Sequence, residues 1–190
     1  EKQDLAEKNS YIVYKVDGEI NTDDFSPASE AWSRPDIPLH ALCMGQSRFA
    51  EGVKTIAKFK AEGHQVLFAG DVVGTGSSRK SACNSLLWHI GEDIPFVPNK
   101  RKGGIILGGQ IAPIFYNTAE DSGAMPIRCD VSRLKTGMIV TVKPMEGKIE
   151  DEAGKLLVNI KVSKTMAEEV KAGGRVPLII GRNLTQQTRK

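Results

Sequence analysis

"GDVVGTGSSRKSACNSLLWHIG", residues 70–91, is the stretch that decides the fold. It continues "HQVLFAG", residues 64–70, an apolar run short enough for a buried strand. Gly74 and Gly76 break the run, and Ser77, Ser78 and Arg79 stand directly behind them. The segment "RKSACNSLLWHI" then carries apolar residues at helical spacing, with Ser77 or Ser78 as its cap and Gly91 as its stop. Strand, glycine turn and helix start together aim backbone N–H groups and a positive dipole end at whatever lies in front. Two readings follow. Either a serine simply caps a helix and Arg79 is a surface cation, or the backbone is thinned so that an anion can come close. Nucleotide loops fit poorly: a Walker A loop needs Gly-Lys-Ser/Thr, and a dinucleotide fingerprint needs glycine where Arg79 stands. The nucleophile elbow GxSxG does not occur here. What remains is a small carboxylate or phosphate, held by hydroxyls, N–H groups and the planar fork of Arg79.

Upstream, "YIVYKV", residues 11–16, reads as a strand. Asp17 to Pro38 reads as one long ordered loop, with Phe25, Trp32 and Ile37 as apolar anchors. Within it, "NTDDFSPA", residues 21–28, sets two adjacent acids just after the strand. Such residues are ordinary in turns. Arg34 follows, able to pair with an acid or to bind a carboxylate. Gln46 to Glu62 has the periodicity of a helix. Downstream, "IPFVP" and "GGIILGG" read as strands around a basic turn, "NKRK", residues 99–102. "IAPIFYNTAEDSG" reads as a short helix and "AMPIRCDV" as a strand. From Met138 the chain becomes a β-meander, closed by a helix over "SKTMAEEVKAGG" with Ser163 as cap and Gly173 as stop. The expected fold is mixed α/β, a mixed sheet with flanking helices and a β-rich C-terminal part. Residues 1–180 form the domain, and the polar tail 181–190 is a linker.

The 190 residues are 40% hydrophobic and 26% charged, with a net charge of +3, enough for one core without metal or disulfide. That charge is too small to imply nucleic acid or a membrane by itself. No apolar run approaches the roughly 20 residues of a membrane span. The charged start, "EKQDLAEKNS", is no signal peptide and lacks a start Met, so a piece of a larger protein is expected. Cys43, Cys83 and Cys129 are dispersed, with no CxxC, and the histidines form no HxxxH. Free thiols in a reducing cytoplasm follow, with no metal site made by this chain alone.

"GEINTDDFSPA", "GTGSSRKSACNSLLWHIG" and "GGQIAPIFYNTAEDSGAMPI" resemble, in this order, three motifs of the swivel domain of the aconitase and isopropylmalate isomerase superfamily. The stretches between them look like its bacterial aconitase B type, so the resemblance covers nearly the whole chain. It implies a swivelling β/β/α domain that closes over a substrate held by other domains of the same polypeptide. The implied reaction is hydro-lyase isomerisation of citrate to isocitrate through cis-aconitate. A [4Fe–4S] cluster is implied too, ligated by those other domains and not by this chain, which alone would be inactive. Ser77 matches the general base. Ser78 and Arg79 match its substrate-binding neighbours, Asp23 the acid of the TD motif, and Arg34 a second carboxylate-binding arginine. Lys80 stands where the family usually has an acid. The small subunit of isopropylmalate dehydratase, which shares the TD and GSSR motifs, is the alternative enzyme. Binding of mRNA by the cluster-free protein, with "NKRK" as its basic element, is the alternative of another class.

Overall fold

The computed structural model describes residues 10–77, 80–162, 165–166, 168–169 and 175–188. Its strands are β1 (Ser10–Asn21), β2 (Gln65–Thr75), β3 (Glu92–Ile94), β4 (Val97–Lys102), β5 (Ile105–Ile111), β6 (Met125–Arg128), β7 (Ile139–Lys143), β8 (Lys148–Asp151) and β9 (Leu156–Asn159). Seven of them make one sheet in the order β6-β5-β2-β1-β7-β8-β9, and β3 and β4 form a separate ribbon. β1, β2, β5 and β6 run parallel to one another, while β7 pairs antiparallel with β1 and β8, and β8 antiparallel with β9. The helices are α1 (Thr22–Phe25), α2 (Ile37–Ala41), α3 (Gly52–Ala61), α4 (Lys80–Ile90), α5 (Pro113–Asp121) and α6 (Arg175–Thr188). This is the mixed α/β architecture expected from the sequence, with its meander at the C-terminal side.

Parallel strands need crossovers, and the crossovers cover the sheet. Alternate residues of β1 and β2 therefore serve two cores. Tyr14, Val66 and Phe68 face the helices and pack with Ile56, Leu86 and Phe115. Val13, Leu67 and Ala69 face the other way, against Ile127, Leu134 and Val140. Met166 is buried in this second core.

Several local readings change. β1 does not end at Val16 but runs on to Asn21. The supposed long loop holds α1, a 3-10 turn at Ala28–Glu30 and α2. These pieces are too short for periodicity to show, and their caps define them instead. Phe25 anchors the segment at 0% exposure, but Trp32 is 96% exposed and anchors nothing. The second predicted helix starts at Gly52 rather than Gln46, because residues 42–51 are spent on tight turns such as Phe49 N to Gly45 O, 2.7 Å. "NKRK" is not a turn. It lies on β4, and the ribbon turns at Pro95 and Phe96. The tail read as a polar linker is helical to Thr188. Ser163 and Gly173, the cap and stop of the closing helix, lie outside the described residues, as do Ser78 and Arg79.

Candidate functional site

The register of the sheet brings three strand ends together. Asn21 at the end of β1 is paired with Thr75 near the end of β2. Val73 of β2 is paired with Ile111, the last residue of β5. The Thr22–Asp23 turn, the glycine turn and the first turn of α5 therefore meet at the C-terminal edge of the parallel strands. In open α/β sheets that edge is where ligands bind.

Each segment has a local cause. After β1, Asn21 Oδ1 accepts from Asp24 N at 3.0 Å and Asp24 Oδ2 accepts from Asn21 N at 2.9 Å, a reciprocal cap. Asp24 is buried and also accepts from Ser47 Oγ at 3.2 Å. Of the two adjacent acids, Asp24 is thus structural. Asp23 is exposed, and its Oδ1 accepts from Ala28 N at 3.3 Å. After β2, Gly74 and Gly76 both have positive φ, +79° and +87°, which suits glycine alone among common residues. The room that Gly74 leaves is filled by Phe115, whose Cγ lies 2.2 Å from where a Cβ would stand. Gly76 is open, and the nearest atom to its missing Cβ is Thr22 Oγ1, at 3.5 Å. Ser77 follows it, exposed.

Ser77, Gly76 and Thr22 line a cavity of about 230 Å³ together with Pro113, Ile114 and Thr118 of α5. Pro at the start of α5 and Ala112 before it offer no side-chain cap. Pro113 has no N–H and Tyr116 N–H is bonded to Ala112 O at 2.9 Å, so the N–H groups of Ile114 and Phe115 are the ones left at this end of α5. Thr22 Oγ1 is buried and has no hydrogen-bond partner among the described residues. Thr22 stands in the TD motif, but no role was read for it from the sequence, because its isolation is a property of the packing.

Arg34 does not lie in this cavity. It lines a neighbouring cleft of about 380 Å³ between α2 and α4, with Ser26, His40, Ser81 and Asn84. Its Nε donates to Glu30 Oε2 at 3.1 Å, and Glu30 also accepts from Ser33 Oγ at 3.1 Å. The Ser33 hydroxyl, and then Arg34, hold the Glu30 carboxyl below its ordinary pKa. Ser26, His40 and Ser81 were missed in the sequence, since each is unremarkable in its own segment. Of the basic "NKRK" run, Arg101 is committed elsewhere. It stacks on Trp88, 4.3 Å from the ring centroid, and its Nε donates to Asp93 at 2.8 Å.

Cys43 and Cys83 are buried, and burial pushes the Cys83 and Cys129 thiols up to about 12. Among the described residues no three of His, Cys, Asp or Glu come together as a metal site. Among them, too, no helix is long and apolar enough to cross a membrane.

Comparison with known proteins identifies the family of the chain. The chain is 60% identical over 190 residues to aconitate hydratase B of Synechocystis, and covers 100% of itself and 22% of that protein. It is 54% identical over 190 residues to the Helicobacter pylori enzyme, again 22% of that protein, and 52% identical over 198 residues to the Escherichia coli enzyme, 23% of it. The chain thus spans less than a quarter of the length of these relatives. Among solved structures, 3-isopropylmalate dehydratase from Methanocaldococcus jannaschii superposes with a TM-score of 0.67 at 21% identity, over 97% of this chain and 100% of that one, a likeness of fold. The family model described as the aconitate hydratase 2 N-terminus matches residues 11–190, and the chain belongs to that family.

Proposed function

We propose that this chain is the swivelling domain of an aconitate hydratase, supplying the base and carboxylate-binding groups that interconvert citrate and isocitrate through cis-aconitate. The observation that carries the reading is the pairing of Asn21 with Thr75, which sets the Asp23 turn against the Ser77 turn. Ser77 takes the proton from the substrate carbon as hydroxide departs from the adjacent carbon to give cis-aconitate, and returns a proton to carbon when water adds back. A serine hydroxyl is a weak base, so its alkoxide needs support. The uncapped first turn of α5 across the cavity and the start of α4 behind Ser77 both present positive dipole ends, which favour a negative oxygen. Ser78 and Arg79 extend this support, and Arg79 and Arg34 hold carboxylates through their planar forks. Asp23, exposed beside the turn, faces the substrate. A [4Fe–4S] cluster, the cofactor of this enzyme class, would be held by other domains of the polypeptide and would supply Lewis-acid chemistry for the substrate hydroxyl. The 190 residues alone accordingly bind no cluster and do not turn over citrate.

The test is Ser77→Ala in the full-length enzyme, with samples matched for iron content. General base catalysis is worth about 10²–10⁴-fold, so kcat should fall by that factor while KM stays within about twofold. Ser77 is exposed, so the melting temperature should hold. A variant that melts lower yet turns over normally per folded molecule would make Ser77 a helix cap and nothing more.

A further inference from the structure

His40 belongs to none of the motifs, yet it is buried at 7% exposure and both ring nitrogens are engaged. Nδ1 lies 3.2 Å from the Arg34 carbonyl oxygen. A carbonyl only accepts, so Nδ1 carries a proton. Nε2 lies 2.7 Å from Ser26 Oγ, and Ser26 Oγ lies 2.7 Å from Ser81 Oγ in the first turn of α4. Hydroxyls can donate or accept. The chain Arg34–His40–Ser26–Ser81 therefore stays whole whether Nε2 accepts from Ser26 or, in a protonated ring, donates to it.

This chain joins the parts that the proposed reaction uses. Ser26 ends the Asp23 turn, its N–H bonded to Thr22 O at 2.9 Å. Ser81 lies just beyond Ser77 and Arg79. Arg34 is gripped at its carbonyl by His40, at Nε by Glu30, 3.1 Å away, and at Nη1 by the Leu39 carbonyl, 3.5 Å away. That leaves Nη2 without a hydrogen bond among the described residues, on a side chain that lines the cleft. The bonds of His40 are not what keeps α2 on α4, because His89 Nε2 already donates to the Ala41 carbonyl at 2.7 Å. Burial holds His89 below its ordinary pKa, against the pull of that hydrogen bond.

We infer that His40 is a positioning residue that sets Arg34 for a substrate carboxylate and, through Ser26 and Ser81, holds the start of α4 for Ser77. The inference rests on the aconitase reading above. The amide of Gln reaches the place of Nε2 and that of Asn the place of Nδ1, so the two roles separate in the full-length enzyme. His40→Gln keeps a partner for Ser26 and loses the Arg34 carbonyl. With isocitrate its KM should rise at least fivefold, with kcat within twofold. His40→Asn keeps the Arg34 carbonyl and loses Ser26. Its kcat should fall at least fivefold, with KM within twofold, and Ser26→Ala should match it. A merely structural histidine gives lower melting temperatures in both variants and no split between KM and kcat, which would overturn the inference. Arg34→Lys tells the two failures apart. If it raises KM while neither His40 variant splits the constants, the inference alone falls. If it leaves KM unchanged, the carboxylate role of Arg34 falls and takes the inference with it.

Discussion

At the end of β1 the chain closes on itself: Asn21 and Asp24 cap each other, Ser26 N bonds back to Thr22 O, and Phe25 drops into the core. At the end of β2, one strand away, it stays open, with two left-handed glycines and an exposed Ser77. Phe25 stacks on Phe115 with 5.5 Å between ring centroids, and Phe115 in turn occupies the space beside Gly74. The closed turn thus supports the open one from below. Gly76 and Ser77 are exposed where the anion is proposed to bind, and the acid segment beside them is tied by its own cap. Had both turns been open, ordering them around a ligand would cost more entropy. Had both been closed, no backbone would be left to approach the ligand.

The largest expected effect breaks the support between the turns. Gly74→Ala forces a left-handed conformation, worth about 1–2 kcal/mol, and also drives a Cβ into Phe115, which adds about 1–3 kcal/mol of overpacking. Gly76→Ala carries the same backbone strain with no such clash, since its neighbour is 3.5 Å away. Chemical denaturation should therefore place Gly74→Ala at least about 1 kcal/mol below Gly76→Ala. Equal losses would mean that Phe115 moves freely and that the two turns are not mechanically coupled.

A smaller pair of effects separates the two acids. Asp24→Ala removes the cap and strands Asn21 N–H and Ser47, at a cost of about 1–3 kcal/mol. Asp23→Asn, on the exposed side, should stay within about 0.5 kcal/mol of the parent, as surface substitutions usually do. In the full-length enzyme the order reverses. There Asp23→Asn should lower kcat/KM by about tenfold or more, a loss on the scale of one hydrogen bond to a charged group. Steady-state kinetics beside a thermal melt reads both. Should Asp24→Ala be the one that cripples turnover at unchanged stability, the assignment of the two acids is reversed.

How much of this was visible in the sequence follows the same division. The run into Gly74 and the helix after Arg79 were legible because periodicity and glycine punctuation are local signals. The closed turn was not, because α1 is four residues long and its cap is written in Asn21 and Asp24, residue types that also make plain loops. "NKRK" misled because its ribbon packs no alternating apolar face, so a strand there looks like a turn. His40 was illegible in principle. A lone histidine has no pattern, and its partners Arg34, Ser26 and Ser81 are gathered only by the packing of α2 on α4.

The smallest effect concerns Thr22, where the closed turn meets the open one. Its hydroxyl is buried without a partner and lines the cavity beside Ser77. An orphaned buried hydroxyl costs stability, and an apolar group of the same shape does not. Thr22→Val should therefore leave the melting temperature unchanged or raise it, by up to about 1 kcal/mol of stability. A side chain that improves the fold when removed is explained only by something it does with the cavity filled. In the full-length enzyme Thr22→Val should then lose about tenfold in kcat/KM, the value of one hydrogen bond to a charged group, while Thr22→Ser keeps most of it. Stabilisation with activity intact would detach the cavity from the reaction and leave α5 as packing alone. Destabilisation would instead reveal a partner for the hydroxyl, and the closed turn would then owe part of its rigidity to Thr22 rather than to the Asn21–Asp24 cap.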